Sequence, residues 1–540
     1  MNYVVPILCA LGSLALLELG WTIPGEHPWL LGALCLVPYL LAWSTRAALL
    51  RGRFRIGALL ERLHALSPVL LQCAAVGVAG WITTLAHLGR PVTTLDEWLG
   101  LDVLWALLPF FVYQLLAIDA RARLLSFPPD EPGSVRIFQG RLFFSALLPF
   151  SAYLAGSSLI ARTEHARVVL EEVSLLGGLA AVLLFLVFLR GMPFFLRYAW
   201  DTAPIKQGWA RTVLEKVARA AGFQYRELLE WRTGHQMANA AIVGFSPSSR
   251  FVFFSDLLLQ QLGPRELAAV FAHEMGHARR AHATVFGAFA LGFFLGGQQL
   301  IDAFELTEPS LLLAAFGVLV VLWYFAFGYL SRRFELEADL ESLRVVGDSA
   351  SLVRALELVT GAHAHEKSSW RHFSTAERVE FLHAAERDPL VGLRLKLTLA
   401  RWRRIGFALF GLAAGVTLID LGRAWNQDWL VADLRLGAFE RAAERVARSG
   451  VEPEWAKLAL LAREVGPEER TPEALERRGL RTLVSGDVSR AREWFELAVL
   501  RGARTMDEVV ARLRDAEERG TGVAGLPQEW QDALRALGGQ

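Results

Sequence analysis

His273, Glu274 and His277 stand in the stretch FAHEMGHARRAH, Phe271 to His282. On a helix, residues four apart share a face one turn apart, so the two imidazoles can bind a single Zn2+. Glu274, beside the first, can reach a water held by that metal. A hydrolytic zinc centre also needs a third protein ligand and an open position. A third histidine six residues after the second, with a glycine between, is ruled out by Arg280 and Ala283. His282 is not one helical turn from His277 and reads as a solvated or interfacial histidine. Cys9, Cys35 and Cys73 all lie in apolar runs and form no Cys-x-x-Cys pair, so any metal must be held by histidine and carboxylate. The better candidates are Glu335, Glu337, Asp339 and Glu341 in SRRFELEADLESLRVVGD. Their plain alternative is a solvated helix face.

These residues must be positioned by a chain that is largely membrane. Of its 540 residues, 53% are hydrophobic, and the apolar residues gather in runs near the 20 residues that cross a bilayer. Spans are predicted near 3–22, 28–44, 67–88, 101–118, 142–161, 169–189, 284–304, 309–330 and 405–421. Glu171 and Glu172 blur the start of the sixth. The first is expected to be an uncleaved helix, since no basic segment precedes it and no small-residue cleavage site follows. Arg46, Arg51, Arg53, Arg55 and Arg62 follow the second span, Arg121, Arg123, Arg136 and Arg141 the fourth, and Arg332 and Arg333 the eighth. Arg401, Arg403 and Arg404 precede the ninth. The excess of arginine on alternate connections places the N-terminus and residues 190–283 in the cytoplasm, and the tail after 421 outside. The net charge of +1 gives no ground for a nucleic-acid partner, and none is expected.

Residues 1–189 are thus a membrane block. Residues 190–404 form a soluble region interrupted by a membrane hairpin, 284–330. Within it IVGF, a Ser-Pro-Ser-Ser turn and RFVFF read as a hairpin of strands. Gly263-Pro264 then starts the helix that carries the two histidines, with Glu266 in its first turn. A last span, 405–421, leads to a helical tail, 422–540. There Gly479, Ala491, Phe495 and Ala498 fall where one tetratricopeptide-like unit needs small and aromatic residues. The alternative is a plain helical bundle.

His-Glu-x-Gly-His followed, after a two-span hairpin, by Ser-Arg-x-x-Glu-x-x-Ala-Asp resembles the integral-membrane gluzincin zinc proteases. That family includes the type I CAAX prenyl protease and the bacterial heat-shock protease HtpX. NAAIVGFSPSSRFVFFSDLLLQQLGPRELAAVFAHEMGH is similar to their strand region and zinc helix, and SSWRHFSTAERVEFL to a downstream His-Pro-x-x-x-x-Arg element. The resemblance covers about residues 205–385. It implies His273, His277 and Glu335 as ligands of one Zn2+ per chain and Glu274 as general base. It implies Asp339 behind a ligand histidine, His372 and Arg378 as the downstream pair with His372 donating to the oxyanion, and Asn239 and Ala240 on the substrate-pairing edge strand. Phe373 stands where the family often has proline.

The fold expected is mostly α: a polytopic membrane protein with a small α+β gluzincin protease domain and a tetratricopeptide-like helical tail. The function expected is a membrane-embedded zinc endopeptidase acting on membrane or membrane-proximal polypeptides, in a bacterial inner membrane. Its partners would be a polypeptide substrate, the lipid bilayer and a protein bound by the tail. The alternatives are an inactive membrane scaffold that recruits partners through the tail and, with less support, a transporter.

Overall fold

The structure, a computed structural model, describes residues 10, 27–87, 102–125, 132–160, 163–304, 308–360, 373–448, 450–484 and 487–502. It is mostly helical, and seven of its helices are long and apolar enough to cross a membrane. They are Trp29–Leu50, Phe54–Gly77, Gly133–Gly156, Ser174–Ala199, His282–Ala303, Ala314–Val346 and Pro389–Arg435. Large apolar side chains stand exposed along them, Phe325 and Leu412 at 68% each. In water that exposure is unfavourable; in lipid tails it is not. The chain is an integral membrane protein.

Several predicted spans move. The first, 3–22, lies outside the described residues except Ala10. The third begins earlier, at Phe54, and stops at Gly77, where the chain turns through Gly80 at φ +69°. The fourth divides at Leu107 into Asp102–Ala106 and Leu108–Leu124, the latter 17 residues long, with Pro109 in its first turn. At 1.5 Å per residue that is about 26 Å, short of a hydrocarbon core. The sixth divides at Val173, just after Glu171 and Glu172. The ninth is part of a single 47-residue helix.

The chain separates into two compact units, residues 1–158 with 184–414 and residues 159–183 with 415–540. In the first, a four-stranded sheet is formed by β1 (Thr202–Pro204), β2 (Glu227–Trp231), β3 (Ala240–Val243) and β4 (Phe251–Ser255), in the order β1-β2-β4-β3. β2 and β4 are parallel and the outer strands antiparallel to them. Every residue of β4 is buried, because the strand is covered on both faces. Val252 and Phe254 face a core with Leu267, Phe271 and Met275; Phe251 and Phe253 face Phe194 and Trp200. The predicted β3–β4 hairpin forms. Gly244, at φ +117°, makes the turn; a Cβ there would meet the Ser249 carbonyl oxygen at 2.1 Å.

After a short helix, Asp256–Gln261, the described residues of this unit continue with α1 (Pro264–Arg279), α2 (His282–Ala303), α3 (Pro309–Val346), α4 (Ala350–Thr360), α5 (Thr375–Arg387) and α6 (Pro389–Arg435), the last running beyond residue 414. Pro264 at the first position of α1 donates no N–H where none has an intrahelical acceptor, and Glu266 complements the positive helix end. α1 ends where Ala281 adopts φ +51°, which redirects the chain into α2. α1 and α3 touch backbone to backbone: a Cβ on Gly276 would lie 2.8 Å from Ala338 Cα.

In the second unit the helices Phe439–Arg445, Pro453–Ala462, Pro472–Val484 and Val488–Leu500 surround Leu434, Phe439, Leu458, Leu461, Trp494 and Leu497. Gly479 lets the Phe495 ring approach to about 3.1–3.2 Å of a Cβ position. One such helical pair does not establish a tetratricopeptide-like repeat.

Candidate active site

α1 brings its two histidines together as their spacing requires. The Nε2 atoms of His273 and His277 face each other at 3.2 Å. α3 adds Glu335, whose two carboxylate oxygens lie 3.7 Å from the Nε2 of His273 and of His277 respectively. Among the described residues, these three form a group able to hold a metal ion, with donor atoms within 4.8 Å of one another. Glu337 and Glu341, one and three half-turns further on in sequence, are committed elsewhere. Glu337 meets His282 and Arg403, and Glu341 meets Arg279 and Arg344.

The trio fits Zn2+ by its donor set and spacing. Two imidazole nitrogens and a carboxylate are a common zinc set, and tetrahedral bonds of about 2.0–2.1 Å put donors about 3.3 Å apart. Two ring nitrogens aimed at each other this closely need either a shared proton or a cation between them. Burial pushes the His277 imidazole down to about 3, so it stays neutral with a lone pair to give. For His273 burial also opposes the charge, but the carboxylate of Asp339 close to its Nδ1 outweighs it and raises the pKa.

Behind the trio, Asp339 lies one turn beyond Glu335 on α3 and is fully buried. Its Oδ1 is 2.9 Å from His273 Nδ1. Arg378 grips the same carboxylate through Nε at 2.9 Å and Nη2 at 2.5 Å, and its Nη1 stands 3.7 Å from Glu335. The pairing holds the guanidinium above its ordinary range although burial opposes it. Arg378 is placed by the start of α5, where Ser374 and Glu377 cap each other: Glu377 N donates to Ser374 Oγ, and Ser374 N donates to Glu377 Oε2.

Glu274 lines the same cavity, and burial pushes its carboxyl up to about 7. A cation at the trio would favour its charged form. The cavity holds about 440 Å³. Its lining combines polar His273, Glu274, His277, Glu335 and Arg378 with aliphatic Leu258, Val270, Leu352, Leu356 and Val359. Ala238, Asn239 and Ala240 complete the lining. The Asn239 backbone exchanges hydrogen bonds with Ser255: its N–H donates to the side-chain Oγ and its carbonyl accepts from the Ser255 N–H, each at 2.9 Å. The register then turns the backbone groups of Ala240 and Ile242 away from β4. Among the described residues no strand pairs with that outer edge.

His372 lies outside the described residues. His282 corrects the sequence reading: it is 3% exposed, not solvated. Its Nδ1 is 2.8 Å from His277 Nδ1 and its Nε2 2.8 Å from Glu337 Oε2. The spacing argument assumed one unbroken helix, and the left-handed Ala281 breaks it. The aliphatic lining from α4 was also not anticipated. Its residues are ordinary helix apolars, and only the fold brings them to the cavity.

Residues 204–386 match Peptidase family M48. A CAAX prenyl protease 1 homolog of Arabidopsis thaliana is 30% identical over 206 residues, covering 34% of this chain and 48% of its own length. A protease HtpX homolog of Aeropyrum pernix is 27% identical over 209 residues, 36% of this chain and 65% of its own. The chain thus spans about half to two thirds of the length of these curated relatives. The crystal structure of S. mikatae Ste24p aligns at a TM-score of 0.44 and 17% identity, covering 67% of this chain and 99% of that one. Matched by that family along its sheet, the helix of His273 and His277 and the capped Arg378 helix, the chain carries a peptidase family M48 domain at residues 204–386.

Proposed function

We propose that the chain is a membrane-embedded zinc endopeptidase that cleaves membrane or membrane-proximal polypeptides. The observation that carries this reading is the convergence of His273, His277 and Glu335 on one point beside Glu274 in a cavity with an open strand edge. The three residues would hold one Zn2+, which when bound polarises a carbonyl and makes water nucleophilic near neutral pH. Glu274 takes the proton of the attacking water and hands it to the leaving amine. Arg378 and Asp339 hold His273 in place. The substrate backbone adds to β3 through Ala240 and Ile242, with Asn239 at the strand entrance, which gives sequence-tolerant binding. His372, carried by resemblance alone, would donate to the oxyanion.

The arginine-rich connections favour a cytoplasmic protease domain in a bacterial inner membrane, with the tail outside and free to bind a protein partner. The test is zinc content and cleavage of a casein-type substrate by purified protein in detergent. About one Zn2+ per chain and cleavage abolished by a chelator are expected. Stoichiometric zinc with no cleavage of any polypeptide would leave the scaffold reading in its place.

A further inference from the structure

Glu337 lies on the same helix as Glu335 and Asp339 but belongs to a separate chain of contacts. Its Oε2 is 2.8 Å from His282 Nε2 and 2.5 Å from Arg403 Nη2, and its Oε1 is 3.2 Å from Arg403 Nη1. At the other end His282 Nδ1 meets His277 Nδ1 at 2.8 Å. The His282 ring is stacked on Phe334, 4.2 Å between centroids and 7° from parallel, so it cannot turn freely. Arg403 comes from α6 and leaves Glu337 a carboxylate, which can only accept. The His282 Nε2 must therefore carry the proton and donate. In the neutral ring Nδ1 then has only a lone pair, and it can only accept from His277 Nδ1–H. That fixes the His277 tautomer with a bare lone pair on Nε2, the atom that faces His273 and Glu335.

We propose that His282, Glu337 and Arg403 form a positioning relay that sets the tautomer and ring orientation of His277 for metal binding. The inference rests on the zinc reading above. It parallels the contact of Asp339 with His273, but reaches the second histidine through an intervening imidazole. A metal-binding histidine whose other ring nitrogen loses its partner typically loses about 10–100-fold in metal affinity. The relay also makes α6, which supplies neither a proposed ligand nor the base, a determinant of the site.

The readout is the Zn2+ dissociation constant of the full chain in detergent, by competition with a chelating dye, with thermal melting as a folding control. His282→Leu and His282→Asn are nearly equal in size, but only asparagine offers an oxygen where Nδ1 stood. Leucine is expected to weaken zinc binding by about 10–100-fold and asparagine to recover most of it. Arg403→Gln, at the far end of the relay, is expected to weaken it severalfold. Equal affinities for wild type, His282→Leu and Arg403→Gln would overturn the relay, as would equal losses in the leucine and asparagine variants. If His282→Leu does not fold, an unchanged affinity in Arg403→Gln overturns it alone. A wild-type chain that binds no zinc removes the metal reading itself, a different result from equal binding by all.

Discussion

Glu274 and Arg378 line the same cavity and fail differently when changed. Glu274→Gln keeps the side chain's size and removes its proton acceptor. Zinc content is expected to be unchanged and kcat to fall by about 10²–10⁴, the usual worth of a positioned acid–base group; equal turnover would exclude Glu274 as the base. Arg378→Ala instead leaves Asp339, 0% exposed, without its guanidinium. Removing one partner of a buried ion pair costs about 3–5 kcal/mol, so a large fall in melting temperature and weakened zinc binding are expected together. Arg378→Lys should recover only part, since an ammonium cannot make the two-pronged contact. At this scale the sequence was legible where the chemistry stays within one turn, as with His273 and His277 or Glu335 and Asp339. Spacing alone left four acids open as the third proposed ligand; the family resemblance singled out Glu335, and the facing helix places that carboxylate beside the two histidines. His282 was misread because one backbone angle, at Ala281, moved it off the helix used to place it.

The helix pair α1–α3 and the strand β3 carry predictions that no single side chain does. The proposed ligands sit on both helices, so the separation of the helices would set the size of the proposed metal site. Gly276→Ala would force a methyl into Ala338 Cα and Glu341 Cβ, at 2.8 and 3.1 Å. Such overpacking costs about 1–3 kcal/mol and should loosen zinc as well as lower the melting temperature; tight zinc in a destabilised variant would show that the site adapts. On β3, proline distinguishes the two edges. Ala240→Pro removes an N–H that points away from β4, so the sheet should survive while KM for an extended polypeptide rises. Ala241→Pro removes one that points into the ladder and should destabilise the domain. Equal KM for Ala240→Pro and wild type would argue against strand addition. The β3–β4 hairpin was readable from its Ser-Pro-Ser-Ser turn and the short apolar runs on either side of it. The order of the strands was not, since β2 pairs in parallel with β4, skipping the intervening β3.

Over the whole molecule, the apolar runs were readable as membrane because a bilayer demands length and hydrophobicity together. Their ends were not, because helices stop at turns such as Gly80 and Val173 rather than where hydropathy falls. The proposed orientation is testable with reporters: fusion after Arg197 or Arg403 should report cytoplasm, and after Gln540 the outside. Residues 405–421 decide the second result. They lie inside α6, whose apolar stretch follows the basic run Arg401 to Arg404. A cytoplasmic signal at Gln540 would mean that this stretch does not cross, and that the tail shares a compartment with the proposed site.

The two membrane-length helices between His277 and Glu335 also set a timetable for biosynthesis. A ribosome delivers the histidines and Glu274 first, and the third proposed ligand only after both helices have emerged. Zinc coordination, and with it any hydrolysis, has to wait for the hairpin to enter the bilayer and bring α3 back against α1. Synthesis without membranes should therefore yield a chain without proteolytic activity, and added vesicles should restore it only when present during translation. On the proposed reading, the order in which the residues are made keeps a nascent chain inactive until it is in the membrane.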